Sequence, residues 1–120
     1  MKHYSEEHQW VEPHEDSYRV GLSEFAVSEL GEITFVELPE VGRKIPMGTP
    51  LCLVESLKAA SDVVSPVSGT VVAVNKALTS NPRLLNQSPE GDAWICLLAD
   101  VPSEEIDKLM DQEAYASFLK

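Results

Sequence analysis

The stretch Val54-Glu55-Ser56-Leu57-Lys58-Ala59-Ala60-Ser61-Asp62 places one lysine among small and polar residues near the middle of the chain. A lysine amine can be acylated. A lysine that accepts an acyl group and carries it between active sites must meet three conditions. It must project from the fold, its neighbours must be small enough for an enzyme to close over it, and its base must be rigid. Ser56, Ala59, Ala60 and Ser61 meet the second condition. The runs Pro50 to Glu55 and Asp62 to Ser65 read as strands, so Lys58 falls on a hairpin turn held by paired backbone, which meets the other two. The competing reading of Lys58, taken by itself, is an ordinary solvated surface lysine.

No other chemistry competes for the chain. It contains no glycine-rich loop between a strand and a helix, no nucleophile elbow around a serine and no cluster of cysteine with histidine. His3, His8 and His14 fit no metal-ligand spacing, and no metal site is expected. Cys52 and Cys96 each stand in an apolar run, as expected of buried free thiols in a reducing compartment. The formal net charge of -11 argues against nucleic acid and anionic membranes, which need a basic face, and favours partners with basic docking surfaces. No signal core, transit peptide or membrane-length apolar run is visible, so a cytoplasmic protein is expected.

The elements that must position Lys58 follow from the punctuation. The 120 residues suit one compact domain, 1–120. His8 to Glu12 and Tyr18 to Leu22 read as strands joined by a turn at Pro13 to Ser17. Ser23 to Gly31 reads as a short helix capped by Ser23 and stopped by Gly31, with Leu22, Phe25, Ala26 and Leu30 near one face. Ile33 to Pro39 is a strand, and Gly42 to Pro50 is a loop or short edge strand. Thr70 to Asn75 and Trp94 to Leu98 are further strands, separated by a one-turn helix over Asn81 to Asn86. Ser103 caps a helix bearing Ile106, Leu109 and Met110. A last helix starts near Asp111, with Ala114, Tyr115, Phe118 and Leu119 facing inward. Many short strands broken by proline and glycine imply a mainly β sandwich or barrel.

On these residues the chain resembles the H proteins of the glycine cleavage system, a family of lipoyl carriers, over essentially its whole length. The resemblance is carried by Val36-Glu37-Leu38-Pro39-Glu40-Val41-Gly42, by Val54-Glu55-Ser56 and Lys58-Ala59-Ala60-Ser61-Asp62, and by Ser65-Pro66-Val67-Ser68-Gly69. Val74-Asn75, Ala77-Leu78, Trp94, Gly21 through Gly31 and Glu113-Ala114-Tyr115 extend it. It implies a barrel-sandwich hybrid of two small antiparallel sheets, with short helices that include C-terminal ones. It also implies that Lys58 carries a covalently attached lipoate, flanked by Glu55, Ser56, Ala59 and Ala60 as recognition residues.

The implied function is that of a non-catalytic shuttle. The arm would take the aminomethyl group of glycine from glycine decarboxylase (P protein) to aminomethyltransferase (T protein), and dihydrolipoamide dehydrogenase (L protein) would reoxidise it. Further implied partners are the lipoylating enzymes, either a lipoate ligase or an octanoyltransferase with lipoyl synthase. A monomer is expected. Biotin carriers set their lysine between methionines, whereas Lys58 lies between Leu57 and Ala59. Two other readings stay open: an H-like lipoyl carrier in lipoate relay or another lipoate-dependent pathway, and a non-catalytic lipoyl-fold interaction module.

Two positions depart from the family pattern. Gln9 stands where the family has a glutamate, which lies near the loaded arm together with the aspartate matching Asp62; His8, Gln9 and Asp62 are therefore the expected arm contacts. Ala93 stands where a glycine precedes the tryptophan, and would be strained if that position has a positive φ.

Overall fold

The computed structural model describes all residues 1–120. Nine strands and five short helices follow one another along the chain. The strands are β1 (His3–Tyr4), β2 (Gln9–His14), β3 (Ser17–Leu22), β4 (Ile33–Glu37), β5 (Lys44–Ile45), β6 (Pro50–Ser56), β7 (Ala60–Val64), β8 (Gly69–Val74) and β9 (Cys96–Ala99). The helices are α1 (Glu24–Leu30), α2 (Ala77–Ser80), α3 (Leu84–Gln87), α4 (Ser103–Asp107) and α5 (Gln112–Phe118). One sheet has six strands in the order β1-β2-β3-β9-β8-β5, and the other has three in the order β4-β6-β7. Every pairing is antiparallel and neither sheet closes into a barrel.

Alternation decides which face of each sheet is buried. Val11, Val20, Val71 and Leu98 of the large sheet meet Val36, Leu51, Val54 and Val63 of the small one in a single cluster of 20 buried residues. Ile95 completes it, and its amide donates to the Val20 carbonyl just before β9 begins. A second, smaller cluster joins Tyr4, Trp10 and Tyr115. Gly21 serves that cluster: a Cβ there would stand 2.7 Å from the indole of Trp10, so only glycine lets the ring lie flat on β3. The indole N–H is shared between the carbonyls of Leu22 and Pro89, both at 3.0 Å.

Several sequence expectations need correction. The first turn is tighter than Pro13 to Ser17, because Pro13 pairs with Tyr18 and only Glu15 and Asp16 form its tip. The helix expected at Asn81 to Asn86 begins later, at Leu84, and a separate turn of helix covers Ala77–Ser80. Ser103 is the first residue of α4 rather than its cap, a place taken by Pro102. On α5 only Tyr115 is buried; Ala114, Phe118 and Leu119 are exposed, because the helix touches the body along one narrow line through that tyrosine. Ala93 is fully buried and does not adopt a positive φ, so it carries no backbone strain.

Both cysteines are free and buried. Burial, with smaller contributions from Cys96, Asp62 and Glu37, pushes the Cys52 thiol far up, and burial alone pushes Cys96 up to about 12. A raised thiol pKa means that the unfolded chain releases its protons first. The stabilisation is therefore complete below the ordinary value of 9.0 and is lost as pH rises above it. The native protein should leave both thiols unreactive toward a disulfide reagent at pH 8 and expose two on denaturation. Its unfolding free energy should fall steadily above about pH 9.

Candidate functional site

The hairpin between β6 and β7 turns at Ser56-Leu57-Lys58-Ala59, and Ser56 builds the turn from both ends. Its amide donates to the Ala59 carbonyl at 2.8 Å. Its hydroxyl oxygen accepts from the amides of Lys58 and Ala59, each at 3.2 Å. A serine here thus replaces water as the partner of two turn amides, the local self-capping that favours this residue type in turns. Leu57, Lys58, Ala59 and Ala60 are all exposed, and Lys58 makes no ion pair.

The tip is also fastened to the body. The Leu57 amide donates to the Glu32 carbonyl at 3.1 Å. Glu32 lies in the Gly31-Glu32-Ile33 corner that joins α1 to β4. Asn86 of α3 holds this corner from both sides, accepting from the Ile33 amide at 2.9 Å and donating to the Gly31 carbonyl at 2.8 Å. Gly31 ends α1 with φ 87° and ψ -152°, a conformation essentially reserved for glycine. A Cβ at Gly31 would stand 3.0 Å from the Lys58 Cε, so the same glycine gives the lysine stem room to lie across the corner.

Beside the tip lies a groove of about 220 Å³ between α1, the Glu7–Gln9 segment and β7. Leu22, Phe25, Ala26, Leu30 and Val63 supply its apolar wall, and Glu7, Glu29 and Asp62 supply carboxylates. His8, Gln9 and Asp62, the three arm contacts expected from sequence, come together on this one groove. Glu7, Phe25, Glu29 and Leu30 join them, and the sequence reading missed these. For Phe25 and Leu30 the signal was available, since both lie near the α1 face expected to meet the core, yet Phe25 stays 37% exposed.

The two expected arm contacts from the N-terminal segment, His8 and Gln9, differ in character. His8 has a positive φ of 73°. Its ring lies near Phe25, with centroids 4.6 Å apart, and its Nδ1 is 2.8 Å from the Tyr115 hydroxyl. That hydroxyl is in turn 2.7 Å from Ser23 Oγ, which caps α1 by accepting from the Ala26 amide. Burial raises the pKa of Tyr115, as it does that of Tyr4, whose hydroxyl also donates to Glu90 at 2.5 Å. Both phenols therefore stay neutral donors. Gln9, by contrast, is only 4% exposed and its amide is consumed by the fold: Oε1 accepts from Ser5 Oγ at 2.5 Å, and Nε2 donates to the Glu7 carbonyl at 3.2 Å. No group of three or more His, Cys, Asp or Glu side chains is placed to hold a metal ion.

A fastened hairpin tip bearing one free lysine, on two antiparallel sheets, defines a lipoyl-domain-like carrier fold. A sequence profile described as "Glycine cleavage H-protein" matches residues 2–120. The glycine cleavage system H protein of Geobacillus thermodenitrificans is 45% identical over 116 residues, covering 97% of this chain and 91% of that protein. The probable glycine cleavage system H protein of Pyrococcus abyssi is 47% identical over 120 residues, covering 98% and 89%. The crystal structure of a glycine cleavage system H protein from Mycobacterium marinum superposes with a TM-score of 0.85 at 32% identity, covering 97% of this chain and 94% of that one. The chain belongs to the glycine cleavage H-protein family, the lipoyl carrier component of that multi-enzyme system.

Asn86→Ala removes both clasps on the corner. It should lower the unfolding free energy by about 1–3 kcal/mol and speed hydrogen exchange at the Leu57 amide relative to amides in the large sheet. Gln9→Glu sets a carboxylate oxygen against the Glu7 carbonyl, where an N–H now donates. Denaturant titration should register a cost of about 1–3 kcal/mol at neutral pH.

Proposed function

We propose that Lys58 is the attachment point of one lipoyl arm, and that the chain is a single non-catalytic carrier domain, residues 1–120, serving the glycine cleavage system. The observation that carries this reading is the full-length family match on a fold whose free, exposed lysine stands at the tip of a fastened hairpin. The residues present fit the group. Ala59 and Ala60 leave the amine unobstructed, Gly31 gives the stem room, and the groove beside the tip offers apolar walls with carboxylates. When attached, lipoate supplies a disulfide that can be opened by a carbon nucleophile or a reductant and closed again by oxidation.

The chain's own residues do three things toward that end. The hairpin presents the amine nitrogen of Lys58, which forms an amide with an activated acyl carbon while the acyl leaving group departs and the nitrogen loses its proton to solvent. Glu55, Ser56, Ala59 and Ala60 shape the surface that a lipoylating enzyme reads, whether lipoate ligase or octanoyltransferase acting with lipoyl synthase. The groove formed by His8, Glu29 and Asp62 with Phe25 and Leu30 then receives the arm against the body. A loaded aminomethyl arm ends in a cationic amine, and the three groove carboxylates favour it electrostatically.

Glycine decarboxylase, aminomethyltransferase and dihydrolipoamide dehydrogenase are the partners that this role requires. The groove carboxylates remain although position 9 is neutral. Gln9 therefore lends no separate support to a carrier of another lipoate-dependent pathway. We place the working protein in the cytoplasm as a monomer; the buried free thiols accord with a reducing compartment, and no helix is long and apolar enough to cross a membrane.

Incubation with a lipoylating enzyme should add the mass of one lipoyl group to the wild-type chain and none to Lys58→Arg. An unmodified wild type, or the added mass on Lys44 or Lys76, would overturn the proposal.

A further inference from the structure

We propose that the outer face of the three-stranded sheet, centred on Phe35, is the docking surface for a basic enzyme that acylates Lys58. The inference rests on the attachment reading above and extends it from the lysine to the surface beside it.

The register places that face. Strands β4, β6 and β7 turn Val36, Val54 and Val63 into the core. Alternation then sends their neighbours to the opposite side. Phe35, Glu55 and Ala60 form one rung, the last before the Ser56–Ala59 turn, and Glu37, Leu53 and Asp62 form the next. Phe35 is 45% exposed and pairs with no other ring, and Leu57 at the tip is 73% exposed. Two large apolar side chains thus flank the lysine without any intramolecular partner that explains them. An aromatic ring ringed by polar groups is the side-chain arrangement that most often anchors a protein interface.

Charge selects the partner. Across residues 33–37 and 50–64 the acidic side chains are Glu37, Glu55 and Asp62, and Lys58 is the single base. The complementary surface carries Arg or Lys around an apolar socket. Geometry selects which enzyme presents it. An acylating enzyme must bring its reacting carbon into bonding range of Lys58 Nζ, so its surface must close over the hairpin and the adjoining rung. Neighbouring strands lie only about 4.8 Å apart, which sets Phe35 one strand away from Glu55.

Steady-state acylation by a purified lipoate ligase, with lipoate and ATP, tests this on the unmodified wild type, Phe35→Ser and Val72→Ser. Val72 is a comparably exposed control (46%) on the large sheet. Phe35→Ser should lose about tenfold in kcat/KM through a raised KM, Phe35→Leu should recover most of it, and Val72→Ser should stay within about twofold of wild type. Added salt should raise the wild-type KM. A Phe35→Ser chain acylated at the wild-type rate would overturn the docking surface while leaving the attachment reading intact. A wild-type dimer dispersed by Phe35→Ser would overturn it in favour of self-association. A wild type that leaves Lys58 bare would overturn the attachment reading, and this inference with it.

Discussion

The hydrogen bond from the Leu57 amide to the Glu32 carbonyl is the contact on which the site depends. A hairpin tip is by default the loosest part of a sheet, since its backbone groups face water and its side chains touch nothing. Here one amide of the tip is bonded to a corner that two bonds from Asn86 hold in turn, and that corner contains a glycine in a conformation other residues rarely adopt. The result is a lysine whose side chain is free and whose backbone is not. A free side chain and a fixed backbone are separate properties, and the structure supplies them with different residues.

The same separation appears in the groove. Its walls come from α1 and β7, and its N-terminal edge from the segment around His8 and Gln9. That segment is fixed from outside: Tyr115 of α5 reaches His8 and Ser23 together, and the two aromatic rings of Tyr4 and Tyr115 stack with centroids 4.3 Å apart. The C-terminal helix is thus tied to the N-terminal edge of the groove through the buried phenol of Tyr115. This explains why α5 can leave Phe118 and Leu119 exposed and still belong to the fold.

Much of this was legible in the sequence, for identifiable physical reasons. The α1 caps could be read because Ser23 and Gly31 satisfy local backbone needs that do not depend on tertiary contacts. The strands around Lys58 could be read because alternation and turn residues agreed. Asn81 and Pro82 misled because a good helix start is only a local preference, and the chain begins that helix two residues beyond Pro82. The inward face assigned to α5 failed for a related reason: periodicity shows which residues share a stripe, but not how deep the neighbouring surface lets that stripe sink. In the sequence Gln9 shows only the loss of the family's carboxylate, whereas its amide completes a small hydrogen-bonded loop with Ser5 and Glu7. Glu29 carries no sequence signal because the groove it lines exists only once α1, β7 and the Glu7–Gln9 segment are brought together.

The central claim joins a site to a system: the arm on Lys58 serves glycine cleavage. The most direct measurement is the exchange of labelled bicarbonate into the carboxyl group of glycine, catalysed by a purified glycine decarboxylase with this chain as the only carrier. The account predicts exchange with the lipoylated wild type and only background exchange with Lys58→Arg. A fully lipoylated wild type that supports no exchange would contradict it.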